Sequence, residues 1–167
     1  MSEQDSPDLA APDEALLPVE PAYRHVLRVR LLLLWVPLVI AAVIFDRMLL
    51  GDSRAFGLPS TAMPLFALIA LTLAPKRIYD RLRYALAGGQ LRLLRGWLFH
   101  TDTIVPLVRV QHLDVTRGPL DKLFGTASLI VHTAGTHNSI VTVPGLAPER
   151  AAAMRDVIRD QVRTDFL

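Results

Sequence analysis

Two stretches without a charged residue constrain this chain more than any other feature: LLLLWVPLVIAAVIF from Leu31 to Phe45, and AFGLPSTAMPLFALIALTLAP from Ala55 to Pro75. At a rise of about 1.5 Å per residue, the second covers about 30 Å, the hydrocarbon thickness of a bilayer, and the first only about 22 Å. The shorter run gains length from its flanks. Val26, Leu27 and Val29 extend its apolar face, Arg28 and Arg30 can snorkel, and Met48 to Leu50 lengthen the far end. Pro37, Pro59 and Pro64 are tolerable inside lipid, with Pro64 expected to kink the second helix or mark its start. A cleaved signal peptide would need a basic start and no second span, whereas an acidic segment precedes the first run here and another run follows closely. The reading is a membrane α-helical hairpin with spans at about 29–50 and 55–75, within residues 23–76. A composition of 51% apolar and 20% charged residues agrees with partial solvation by lipid.

Charge sets the expected orientation. Residues 1–20 carry Glu3, Asp5, Asp8, Asp13, Glu14 and Glu20 and no base, so a formal net charge of +2 leaves +8 for the rest. With Pro7, Pro12 and Pro18 interspersed, residues 1–22 read as a disordered acidic tail. Arg24, Arg28 and Arg30 precede the first span and Lys76, Arg77, Arg81 and Arg83 follow the second, so the positive-inside rule puts both termini in the cytoplasm of a multi-pass inner-membrane protein. The same collar makes Arg28, Arg30, Lys76, Arg77, Arg81 and Arg83 candidate lipid-contacting residues, each gaining about 1 kcal/mol beside anionic lipid. Orientation alone also accounts for them.

Residues 77–167 suffice for one small domain, and their punctuation is β-like. Tyr84–Leu86 and Leu91–Leu94 about Gly88-Gly89 form one expected hairpin, and Ala127–Ala134 and Ser139–Val143 form another that Pro144-Gly145 should end. Thr103–Pro106 and Val108–Thr116 are further strands. In the second of these the apolar positions change parity between Val110 and Leu113, which predicts a bulge near Gln111-His112 or a strand buried on both faces. Leu120–Phe124 reads as a short helical plug. Pro148 onwards predicts a helix whose apolar stripe, Ala151, Met154, Val157, Ile158 and Val162, caps the sheet. Trp97 and Phe99 read as core, with a contact surface as the alternative.

The stretch from Ile104 to Gly135 carries Pro106-x-x-Arg109-x-Gln111, then Gly118-Pro119-Leu120, then Leu123-Phe124-Gly125, then an apolar strand ending at Ala134-Gly135. It resembles the bacterial pleckstrin-homology-like membrane-flanked family, the YdbS-like proteins among them. The resemblance implies an α+β pleckstrin-homology-like domain, a bent antiparallel sheet or partial barrel capped by a C-terminal helix. It implies structural roles for Pro106, Arg109, Gln111, Gly118, Pro119, Leu120, Phe124 and Gly125, and it suggests a sibling membrane-flanked protein as partner. Thr126 departs from the Leu or Ile that the family often has after Leu-Phe-Gly.

The chemistry-bearing residues point away from catalysis. The absence of cysteine excludes disulfides, thiolate metal sites and a cysteine nucleophile. His25, His100, His112, His132 and His137 lack the spacing of a metal site, and no Gly-rich phosphate loop is present. His112 and Asp114 share a strand face, where they could orient a hydroxyl nucleophile, but no glycine-framed serine accompanies them. Nucleic-acid binding lacks aromatics interleaved with the bases. The expectation is a non-enzymatic membrane protein with no cofactor, metal or catalytic residue, partnered by the bilayer and by a second copy or a sibling. Anionic-lipid sensing and a membrane-bound hydrolase are the alternatives.

Overall fold

The computed structural model describes residues 16–49, 51, 53, 56–97, 99–134 and 140–165 of the 167-residue chain. Two long helices, α1 (Tyr23–Leu49) and α2 (Leu58–Arg81), form the hairpin. Both exceed the uncharged runs, because the basic flanks continue the helix past the lipid: 27 and 24 residues correspond to about 40 and 36 Å. Each is long and apolar enough to cross a membrane. Their outward faces are lipid-compatible, with Leu33, Ile40, Leu65, Phe66 and Leu68 exposed, while Ala67 and Ala74 are buried, as suits close approach between helices. Pro37 and Pro64 lie inside their helices. Pro59, in the first turn of α2, needs no N–H donor there.

At the loop end of the hairpin, Asp46 is 1% exposed near the end of α1. Its carboxylate accepts from the Gly57 N–H at 2.9 and 3.1 Å and from Ser60 Oγ at 2.5 Å. A negative group so placed supplements α2, whose N-cap residue Gly57 offers no side chain of its own. Asp46→Ala leaves the Gly57 N–H and Ser60 hydroxyl without that acceptor and should cost about 2–4 kcal/mol of hairpin stability, with Asp46→Asn milder. Thermal unfolding of the full chain in detergent micelles checks this.

Beyond α2 the chain builds β2 (Arg83–Ala87), β3 (Gln90–Arg95) and β4 (Thr101–Pro106), then a single 3₁₀ turn and β5 (Val110–Thr116). A short helix α3 (Pro119–Phe124), strands β6 (Ala127–Thr133) and β7 (Ile140–Leu146), and helix α4 (Pro148–Asp165) complete it. All pairings are antiparallel, in two sheets: a four-stranded one ordered β1-β2-β3-β4, where β1 is Leu17–Pro18, and a three-stranded one ordered β5-β6-β7. The expected phase slip is a register shift between Val110 and His112. One core joins the hairpin to the sheets: Tyr23, Val26, Leu27, Tyr79 and Leu82 cluster with Leu91, Leu93, Leu107, Leu129, Val131, Val143 and Ile158. α4 packs against β5 and β6 with Ala151, Met154 and Ile158 buried, as its stripe predicts, although Val157 is exposed.

Three expectations are corrected. Of the tail taken as disordered, residues 1–15 lie outside the described residues, but the part nearest α1 is structured: Leu17 and Pro18 pair with Tyr84 and Arg83, and Val19 is 2% exposed. The acidic average conceals the local run Leu16-Leu17-Pro18-Val19, which has apolar surface to bury. Pro144-Gly145 does not end β7. A register shift opposite Ala127 and Leu129 accommodates the residue lacking an N–H and the glycine at φ +70°, and the strand continues to Leu146. Finally, Trp97 and Phe99 are not core; they are 53% and 79% exposed on the turn between β3 and β4.

Candidate interaction surface

The domain is seated on the basic end of the hairpin by a set of specific contacts. The Glu20 N–H donates to the Gly145 carbonyl at 2.8 Å, and Tyr79 Oη donates to the Val19 carbonyl at 3.1 Å. The Arg24 guanidinium lies 3.9 Å over the Tyr79 ring and 3.5 Å from Asp80. Tyr23 packs so closely on Gly145 that a Cβ there would lie 2.5 Å from its Cγ. These contacts fix the sheets to the helix ends.

A second seat is α3, which packs against α1. Its carboxylate, Asp121, is 4% exposed and accepts from the Gly118 N–H at 3.1 Å and from Thr126 Oγ1 at 2.8 Å; Arg30 of α1 stands 3.7 Å away. His25 stacks on Phe124 at 5.8 Å between ring centroids. Thr126, the departure from the family pattern, is 0% exposed and spends its hydroxyl on Asp121. Gly118 and Pro119 start this turn, Gly125 ends it, and Leu120 packs on the core, while Leu123 is exposed. The rest of the motif sits elsewhere: Pro106 ends β4, the Arg109 carbonyl accepts from the Ala134 N–H at 2.9 Å, and Gln111 occupies the irregular start of β5. Gly135 lies outside the described residues.

The candidate lipid-contacting residues divide into two groups. Arg30 faces Asp121, Arg81 Nη1 donates to the Trp97 carbonyl at 2.9 Å, and Arg83 Nη1 donates to the Leu82 and Tyr79 carbonyls at 3.1 and 3.4 Å. Arg28, Lys76 and Arg77 are exposed. Half the collar therefore has internal structural work.

On the domain itself, a cleft of about 430 Å³ opens between the start of β5 and α4, lined by Val110, Gln111, His112, Leu113, Arg155, Arg159 and Val162. β5 is an edge strand, paired with β6 on one side only, so its other side offers backbone groups to the cleft. Arg155 and Arg159, which line the cleft, both approach Asp156, at 2.9 and 3.4 Å. The bulge expected near Gln111-His112 was the one sequence signal that the strand facing these arginines is irregular there.

His112 and Asp114 are brought together, Nε2 to Oδ1 at 3.0 Å, and His132 from β6 joins the same carboxylate at 3.3 Å. Both imidazoles turn toward the Asp114 carboxylate, so the trio forms a surface polar cluster. No group of metal-ligating side chains occurs among the described residues. His137 lies outside them. Sequence reading missed Asp46 and Asp121 as buried acceptors; for Asp121 the signal was its place three residues after Gly118, at the N3 position where an acid can answer the N-cap N–H.

From within α1 to near the end of α4, residues 27–162, including strands β2 to β7 but not β1, are matched by the family described as Bacterial PH domain. The chain belongs to that family. The match begins inside α1, so this bacterial PH domain includes the spans and not only the sheets. The transmembrane protein YdbS of Bacillus subtilis (strain 168) is 35% identical over 94 residues, 56% of this chain and 57% of that one. The chain thus aligns with little more than half the length of this relative. No solved structure matches it.

Proposed function

We propose that this bacterial PH domain protein is a non-catalytic, membrane-anchored interaction module, with both termini in the cytoplasm and the domain held against the inner leaflet as one subunit of a membrane complex. The observation that carries the reading is the cleft beside the unpaired edge of β5. It combines free backbone groups, an apolar floor from Val110, Leu113 and Val162, and the cations of Arg155 and Arg159. Such a groove suits an extended segment that adds as a strand, its backbone giving affinity and its side chains giving selectivity. A lining that carries Arg155 and Arg159 and no carboxylate favours an acidic segment. The rigid seat on the hairpin supports the same reading, because it holds the groove at a fixed distance from the bilayer. The partner is a second copy or a sibling membrane-flanked protein.

Native mass spectrometry of the full chain, solubilised in mild detergent from its own membrane, tests this. The expected result is a complex above monomer mass that Arg155→Glu with Arg159→Glu dissociates while leaving the circular dichroism unchanged. A monomer with no co-purifying protein would sink the reading.

A further inference from the structure

We propose that the turn between β3 and β4 is an interfacial membrane anchor, with Trp97 and Phe99 resting in the lipid headgroup layer beside the end of α2. Strand register places the turn there. β2 begins at Arg83, two residues after α2 ends at Arg81, and Arg83 pairs with Leu94. The end of β3 therefore returns to the helix end; Arg95 pairs with Thr101, and the turn projects past them. The turn at Gly88-Gly89 lies at the opposite end of the same strands.

The Arg81 guanidinium fixes this position by donating to the Trp97 carbonyl at 2.9 Å. Depth follows from helix geometry. Lys76 is the first charge after the uncharged run, and Arg81 lies five residues further along the same helix, about 7.5 Å on if the axis is near the bilayer normal. A headgroup layer is roughly 5–7 Å thick on each side of the hydrocarbon, so Arg81 lies at its outer edge and the Trp97 carbonyl within one arginine side chain of it.

The chemistry fits that layer. Trp97 and Phe99 are 53% and 79% exposed, large ring surfaces that water solvates poorly, and exposed Arg81 and Arg95 flank them with charge suited to anionic headgroups. The turn is also tight: at Gly96 (φ +148°), a Cβ would lie 1.8 Å from the Phe99 carbonyl oxygen. On the other helix, the α3 turn beside Arg30 carries Leu123 at 74% exposure, so an apolar side chain stands near each helix as it leaves the membrane. The domain rests on the leaflet as well as on the helices, which sets its tilt.

The test uses the full chain in vesicles of phosphatidylcholine and phosphatidylglycerol. The chain has two tryptophans, so Trp35→Phe makes Trp97 the sole reporter. Lipids brominated near the top of their acyl chains should reduce Trp97 emission by about twofold or more, as for an interfacial indole, while aqueous iodide has little effect. Quenching by iodide but not by bromolipid would place the turn in water and overturn the proposal. Quenching by neither would mean that protein covers it, and overturns it equally. Because the chain lacks cysteine, a nitroxide on Phe99→Cys gives a second, independent depth; equal accessibility to a water-soluble relaxant and to a fully exposed control site would also overturn the proposal.

Discussion

Gly145→Ala is expected to unseat the domain from the hairpin, lowering stability by about 2–5 kcal/mol and the unfolding temperature by roughly 10 °C. Two effects add. The glycine holds φ +70°, where a side chain costs about 1–2 kcal/mol. The new Cβ would also meet Tyr23 at 2.5, 2.8 and 2.9 Å from Cγ, Cβ and Cδ1, and overpacking of this kind costs about 1–3 kcal/mol. Tyr23 has little room to yield, because it is 5% exposed at the start of α1 within the shared core. The backbone would have to shift instead, and the Gly145 carbonyl is the acceptor for the Glu20 N–H that brings the chain into α1.

Circular dichroism melts in micelles measure the loss, and limited trypsin digestion at Arg24 and Arg28 should report the opened junction. A double-mutant cycle with Tyr23→Ala separates the two effects: measured against Tyr23→Ala alone, Gly145→Ala should cost only the backbone part, about 1–2 kcal/mol. A Gly145→Ala chain that melts with the wild type would show that the seat is not where the hairpin and the sheets are joined.

How much of this was legible in the sequence differs by kind of interaction. The spans, the β2–β3 hairpin, the bulge in β5 and the capping helix all rest on local periodicity, which a one-dimensional pattern records. The seat does not. Tyr23, Val19, Tyr79 and Gly145 are joined by contacts across separations of up to 122 positions, and nothing in the residues around Gly145 announces that a ring lies against it. Pro144-Gly145 therefore looks like a strand end, when it is the point where a strand loses an N–H and a side chain to admit its neighbour. The tail misled for a similar reason: the net charge of residues 1–20 outweighed a short apolar run in which Leu17 and Pro18 have partners, Tyr84 and Arg83, more than 60 positions away. The arginines misled in the other direction. A charge count sees a uniform collar, whereas Arg30, Arg81 and Arg83 each have a defined acceptor. In the cleft, sequence located both walls, a bulged strand and the C-terminal helix, but not that they face each other.

Asp121→Ala should be nearly as damaging as the glycine change, at about 3–4 kcal/mol, and for the opposite physical reason: it leaves buried donors without an acceptor. The Thr126 hydroxyl, 0% exposed, would have no partner, and the Gly118 N–H would lose the carboxylate that starts α3. A hydrogen bond to a charged group contributes about 1.5–3 kcal/mol, and an orphaned buried donor keeps its desolvation cost. Arg30 adds little to this sum, since it stands 3.7 Å from the carboxylate and is half exposed; Arg30→Gln should cost below about 1 kcal/mol. Thr126→Val should be mild, about 1 kcal/mol, because Asp121 keeps the Gly118 N–H. The decisive comparison is the double variant. If the damage in Asp121→Ala comes from the stranded hydroxyl, then Asp121→Ala with Thr126→Val is more stable than Asp121→Ala alone, since no hydroxyl remains to be desolvated. Additive losses in denaturant melts of the three chains would show instead that the carboxylate acts mainly through the Gly118 N–H. Hydrogen exchange should then place the opening at α3 and at the facing turns of α1, where His25 stacks on Phe124.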